Sequence, residues 1–351
     1  MDQPEVTNII SNQSIANRTS AFQFLQIAQA FFALPSFLSI ILNSAILHTI
    51  ARSKELSKSP TYYLIGNMVA SDLGTATLFV IIPVITLFSL PYAVVDVICR
   101  ILSLVTGVSY MASVLSLIAI SADRYLSIIK PLLLASRSKK LYVFKCVIVI
   151  IWIISITASL PFIYLTGALP GPTNTCALIH RGILTLLFYS IITILLYITP
   201  IAIMSILYFK IYKFLLEKTK DAPSLDGKEG QCKKFLDTAK RKSLIRTLII
   251  VTGVFALMTW PFFAMTLGMS ITGITIDELE RTSLFLFLLC TAAVSFTVFT
   301  PVVNPMLLIK YDKNIRNRTT ILYKRIKRRV SGKNRISVSY NTIQTPASSI
   351  P

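Results

Sequence analysis

The sequence predicts an all-α membrane protein, a bundle of seven transmembrane helices with a short amphipathic helix after the seventh. Three observations carry this expectation. Hydrophobic residues make up 54% of the 351 and charged residues only 14%, with a mean hydropathy of +0.69, which does not suit a surface facing water. Apolar stretches long enough to cross about 30 Å of hydrocarbon recur at 24–50, 62–88, 97–128, 142–165, 184–208, 244–267 and 282–309. Positive charge lies almost wholly on one side of them.

That asymmetry orients the chain. Of the 35 Lys and Arg, only Arg18, Arg100, Arg181 and Arg281 fall in the N-terminal segment or in loops after even-numbered spans. The side holding the rest is cytoplasmic by the positive-inside rule. Residues 1–23 then form an extracellular segment, 24–309 the membrane domain with a basic third cytoplasmic loop at about 210–242, and 310–351 a cytoplasmic tail. Sequons at Asn12 and Asn17 agree with an outside N-terminus, and a third at Asn317 is expected to stay bare. Residues 1–23 hold no apolar core of a signal peptide, so the first span is expected to direct its own insertion. The net charge of +20 is spread over three loops and a tail, each beside a span, which suits anionic inner-leaflet lipid as a partner and not nucleic acid. No repeat of 20 to 50 residues and no soluble domain are visible.

Two polar features stand out against this background. Asp123-Arg124-Tyr125 follows a run of apolar residues, and Cys99 lies 25 residues earlier, roughly 37 Å along a helix, so the triplet sits at the cytoplasmic rim. An arginine there is ordinarily one that snorkels to water. Asp72 lies in the middle of the second stretch with no other charge within a turn. A carboxylate at that depth costs at least about 2.5 kcal/mol, so it is expected to face the interior among partners. Asn43, Ser113 and Asn304 lie at similar depth. Such a cluster serves either as glue between helices or, with water, as a site for a small cation such as Na⁺.

Taken in order, these residues resemble the rhodopsin-like (class A) G-protein-coupled receptors over roughly 24–326. The resemblance rests on Asn43 in the first span, Asp72 in the second, Cys99 and Asp123-Arg124-Tyr125 in the third, and Trp152 in the fourth. Pro200 and Tyr208 follow in the fifth, Phe255 and Pro261 in the sixth, and Asn304-Pro305 in the seventh. It implies a receptor that binds an extracellular ligand and activates a heterotrimeric G protein from the plasma membrane, without bond-making chemistry. Asp123, Arg124, Tyr125, Tyr208, Asn304 and Pro305 would form the switch. Asp123 would hold Arg124 at rest and release it when the sixth span swings outward. It also implies a disulfide between Cys99 and Cys176, the two cysteines of five that lie on the oxidising side outside a helix core.

The chain departs from the family pattern in three places. The inner end of the sixth span carries Arg241 in place of an acid. Thr259 stands where the family has a tryptophan, with Trp260 one position, about 100°, further round. The asparagine–proline motif of the seventh span ends in Leu308 in place of tyrosine. These changes leave open a receptor-like chain with weak or lost coupling. A secondary transporter is more remote, since Asp72 is nearly alone and no repeated halves exist.

The resemblance places the ligand pocket at Thr106, Tyr110, Phe262, Phe263, Thr266 and Val294. Thr106 occupies the place where amine receptors carry an acid. A rim with Asp277, Glu278 and Glu280 facing Arg100 and Arg181 suits a peptide better than a lipid. In the tail, Ile315, Leu322 and Ile326 share one helical face among Lys and Arg over about 312–327, as in a helix lying on the inner leaflet. Ser331 follows two arginines and suits a basophilic kinase.

Overall fold

The computed structural model describes residues 33–87, 90–130, 137–169, 175–180, 182–220, 228–274, 278–279 and 282–330. Asn12, Asn17, Ser331, Arg181, Asp277, Glu280 and Arg281 lie outside them. Seven helices are long and apolar enough to cross a membrane. They are Ala33–Arg52, Pro60–Leu87, Tyr92–Ile129, Arg137–Ser159, the fifth span from Ile183 to Lys220, Lys228–Thr272 and Leu284–Tyr311, and the amphipathic helix Lys313–Val330 follows. The third span packs against the second, fourth and fifth, and the seventh packs against the sixth and second.

The residues are sorted for lipid. Ile153, Leu187 and Leu257 are exposed, whereas Asn43, Asp72, Ser113 and Asn304 are buried. With hydrocarbon outside, apolar side chains face outward and polar ones find partners within.

Prolines set the local shape. Pro200 offers no N–H to the Leu196 carbonyl, and the turn before it, Ile194–Ile198, is a wider π turn. In the seventh span Pro305 likewise leaves the Pro301 carbonyl without its helical donor. Two side chains of the first span supply the substitute: Ser39 Oγ and Asn43 Nδ2 donate to that carbonyl at 2.8 and 2.9 Å.

Three features differ from the sequence expectation. The basic stretch 210–242 is helical through Lys220 and again from Lys228, because its Lys, Glu, Leu and Arg favour helix once the chain leaves the membrane. The fourth span runs to Leu165 as expected, but its helix is interrupted after Ser159 and resumes at a proline as the short helix Pro161–Leu165. Beyond it lies an antiparallel hairpin, β1 (Thr166–Leu169) and β2 (Thr175–Leu178), pairing Ala168 with Cys176. Four-residue strands carry too little alternation to be read from sequence.

Candidate ligand pocket and coupling site

In the middle of the bundle, Asp72 is 3% exposed and both its oxygens are engaged. Ser113 Oγ donates to Oδ1 at 2.6 Å and Asn304 Nδ2 to Oδ2 at 3.0 Å, joining the second, third and seventh spans. Asn43 shares the depth but bonds elsewhere, to Ser39 and the Pro301 carbonyl. Its interest in that proline-freed carbonyl separates it from the carboxylate. Two buried oxygens on the flanking first and seventh spans, Asn43 Oδ1 and Thr300 Oγ1, have no hydrogen-bond partner. Nearby, Trp152 Nε1 donates to Asn67 Oδ1 at 2.9 Å, and Asn67 Nδ2 donates to Ser116 Oγ at 2.8 Å, tying the fourth span to the second and third.

At the hairpin end, Cys99 and Cys176 form a disulfide. Beside it Arg100 donates to Asp96, one turn earlier, at 2.8 Å and to the Ile163 carbonyl at 2.7 Å. Asp96 Oδ1 also accepts the Ala168 N–H at 2.9 Å. Arg100 is therefore a clamp that seats the hairpin on the third span, not a free cation at a charged rim. A Cβ at Gly167 would sit 2.5 Å from Asp96 Oδ1 and 2.9 Å from Ile179 Cδ1, so a larger residue there would have to displace those side chains.

Below the hairpin a ring cluster joins the third, fifth and sixth spans. Phe263 stands 6.3 Å from Tyr110, 5.4 Å from Tyr197 and 5.6 Å from Phe262, centroid to centroid. Tyr197, carried by the π turn, belongs to this cluster although sequence spacing did not single it out. Thr106, Thr266 and Val294 are partly exposed, and Thr266 Oγ1 donates to the Phe263 carbonyl at 3.1 Å. Thr259 is fully buried and Trp260 is 51% exposed. The indole thus faces lipid, and the threonine holds the interior position. Tyr110 packs against both this cluster and the core around Phe255, and its hydroxyl has no hydrogen-bond partner.

At the opposite end, the expected pair of Asp123 with Arg124 is not formed. Asp123 is buried and accepts from Thr61 Oγ1 at 2.7 Å, from Ser127 Oγ at 3.3 Å and from Lys140 Nζ at 2.6 Å. Lys140 comes from the first turns of the fourth span, and it takes the acid because it brings its ammonium alongside the carboxylate. Arg124 lines a cavity of about 50 Å³ with Leu117, Asn304, Leu308, Tyr311 and Asp312. Tyr208 is satisfied within 2.5 Å of Ser121 Oγ. Tyr62 donates to Asp312 at 3.0 Å, and Asp312 caps the amphipathic helix by accepting the N–H groups of Asn314 and Ile315. Tyr125 packs against the core, and Pro305 is buried in the seventh span.

Comparison with known proteins decides the family. The profile described as 7 transmembrane receptor (rhodopsin family) matches residues 42–308. The chain belongs to the rhodopsin family of seven-transmembrane receptors. Among this receptor's relatives is a QRFP-like peptide receptor of Branchiostoma floridae, 23% identical in an alignment of 324 positions that covers 88% of this chain and 80% of that protein. Neuropeptide Y receptor type 6 of Mus musculus is 26% identical over 70% of this chain and 72% of its own. Muscarinic acetylcholine receptor M5 of Mus musculus is 26% identical over 68% of this chain, and the match spans 44% of that receptor. Members of this family are membrane receptors and not enzymes, and the seven spans here make the receptor a multi-pass membrane protein.

Lys140, Tyr62, Asp312 and Ser121 are the residues at the Arg124 end that sequence reading passed over. Asp96 and Arg100 carried a visible signal, an opposite-charge pair at i,i+4. Lys140 carried none, because nothing in the sequence brings it beside Asp123.

Proposed function

We propose that this receptor lies in the plasma membrane with the hairpin end outside and binds an extracellular peptide. On binding it activates a heterotrimeric G protein at the end where Arg124 stands. The observation that carries the reading is Arg124 itself. The third span delivers it to a cavity with no carboxylate partner among the described residues, where an incoming protein segment can meet it. The peptide preference is supported by relatives named as peptide receptors and by Thr106 in place of an acid. The amphipathic helix, with Lys324, Arg325, Lys327 and Arg328 beside exposed Ile321 and Ile326, suits the inner leaflet and its anionic lipid.

Na⁺ fits the middle of the bundle as an allosteric ion. Asp72 supplies the charge and Ser113 Oγ a neutral oxygen. Each carboxylate oxygen accepts one described hydrogen bond and keeps a further lone pair. A second reading, a receptor-like protein with weak coupling, is favoured by Leu308 and Thr259 alone.

The ligand class is tested by expressing the chain with a promiscuous G protein and screening peptide, amine and lipid libraries. A peptide is expected to give the signal. A response confined to amines or lipids overturns the peptide preference.

A further inference from the structure

We propose that Lys140 is a positioning residue for coupling: by occupying Asp123 it keeps Arg124, half-buried, unpaired on the wall of its cavity. The proposal rests on the receptor reading above and extends it to a residue of the fourth span.

The geometry closes around Asp123. Its side chain is 0% exposed, so its charge needs a cation. Lys140 Nζ provides one at 2.6 Å on Oδ1 and also donates to Ser127 Oγ at 3.0 Å. The ammonium lies 5.4 Å from the Phe144 ring and the lysine side chain is 17% exposed, so it is held from several sides. Thr61 takes Oδ2 from the second span. With both carboxylate oxygens engaged, the next residue in the chain has no claim on them. Arg124 instead faces Leu308, Asn304, Tyr311 and Asp312 across the cavity. Of these Asp312 is the one acid, and it is engaged by Tyr62 and by the first N–H groups of the amphipathic helix.

Removing the ammonium reverses this. In Lys140→Met the buried carboxylate keeps its hydroxyl donors but loses its charge partner, and Arg124, the next residue in the chain and without a carboxylate of its own, is the cation expected to take its place. The arginine is then drawn out of the cavity onto Asp123. The switch is left in the resting arrangement that an acid–arginine pair creates, and ligand-independent coupling falls.

Two readouts separate this inference from the receptor reading. The first needs no G protein: the rate at which phenylglyoxal modifies Arg124 in purified receptor, followed by mass spectrometry. The second is basal nucleotide exchange at matched surface expression. Lys140→Met is expected to slow modification by roughly five-fold or more, the low end of coupling between linked groups, and to lower basal exchange in parallel. Lys140→Arg, which keeps a cation within reach, should stay above Lys140→Met in both. In an Asp123→Asn background, Lys140 and Met at this position should give the same rate, since no carboxylate is left to capture Arg124. A lysine serving only to hold the fold would lower surface expression without that dependence on Asp123. Slower modification with flat exchange upholds the role of Lys140 and counts against coupling. Unchanged modification overturns the proposal whatever the signalling.

Discussion

Single side chains set both the strengths and the departures of this receptor. Asp72 was legible in the sequence as a buried carboxylate in need of partners, because a lone charge in hydrocarbon has few alternatives. Its contacts with Ser113 and Asn304 followed from depth alone. Asn43 was matched by the same depth argument, yet the stronger pull came from the carbonyl that Pro305 leaves free. That competition depends on which way two helices face, which spacing does not record. The Na⁺ assignment belongs at this scale. Replacing sodium by choline at constant ionic strength should lower the thermal midpoint of the purified receptor, since an ion that binds only the folded state stabilises it. Asp72→Asn should remove the difference between the two salts. An equal difference in the variant would place the ion elsewhere.

Between elements, the informative contact is one that Leu308 does not make. In the resembled receptors a tyrosine at this place reaches toward the tyrosine that Tyr208 matches. Here Tyr208 is engaged by Ser121, and Leu308 borders the cavity that holds Arg124. A tyrosine introduced at 308 would enter that cavity and must draw Tyr208 from Ser121. One such hydrogen bond is worth on the order of 1 kcal/mol, about five-fold in a minor population. Leu308→Tyr is accordingly expected to raise ligand-independent exchange at matched expression, and Tyr208→Phe in the same chain to cancel the rise. Were the gain to survive Tyr208→Phe, added bulk would be its cause and not the hydroxyl pair. The spans themselves were readable because twenty apolar residues in a row have few other uses. The hairpin and the helical continuation of 210–242 were not. Short strands lack periodicity, and helix beyond the membrane needs no apolar face.

For the molecule as a whole, the disulfide and the Asp96–Arg100 clamp fix the hairpin end while the opposite end keeps a cavity around Arg124. A bundle tied at one end and hollow at the other can bias two arrangements, which is what a transmembrane switch requires. The motif order made the bundle and both ends legible. The partner of Asp123 was not, because Lys140 reaches it only through folding. Arg124 is proposed to drive nucleotide exchange. This role is tested most directly with purified receptor in lipid nanodiscs, presented to a panel of heterotrimeric G proteins and compared with Arg124→Ala at equal receptor. The wild-type chain is expected to accelerate GTP-analogue uptake by at least one trimer over empty discs, and Arg124→Ala, with its Cys99–Cys176 disulfide intact, to return the rate to that of empty discs. Acceleration of no trimer, or equal acceleration by Arg124→Ala, would contradict it.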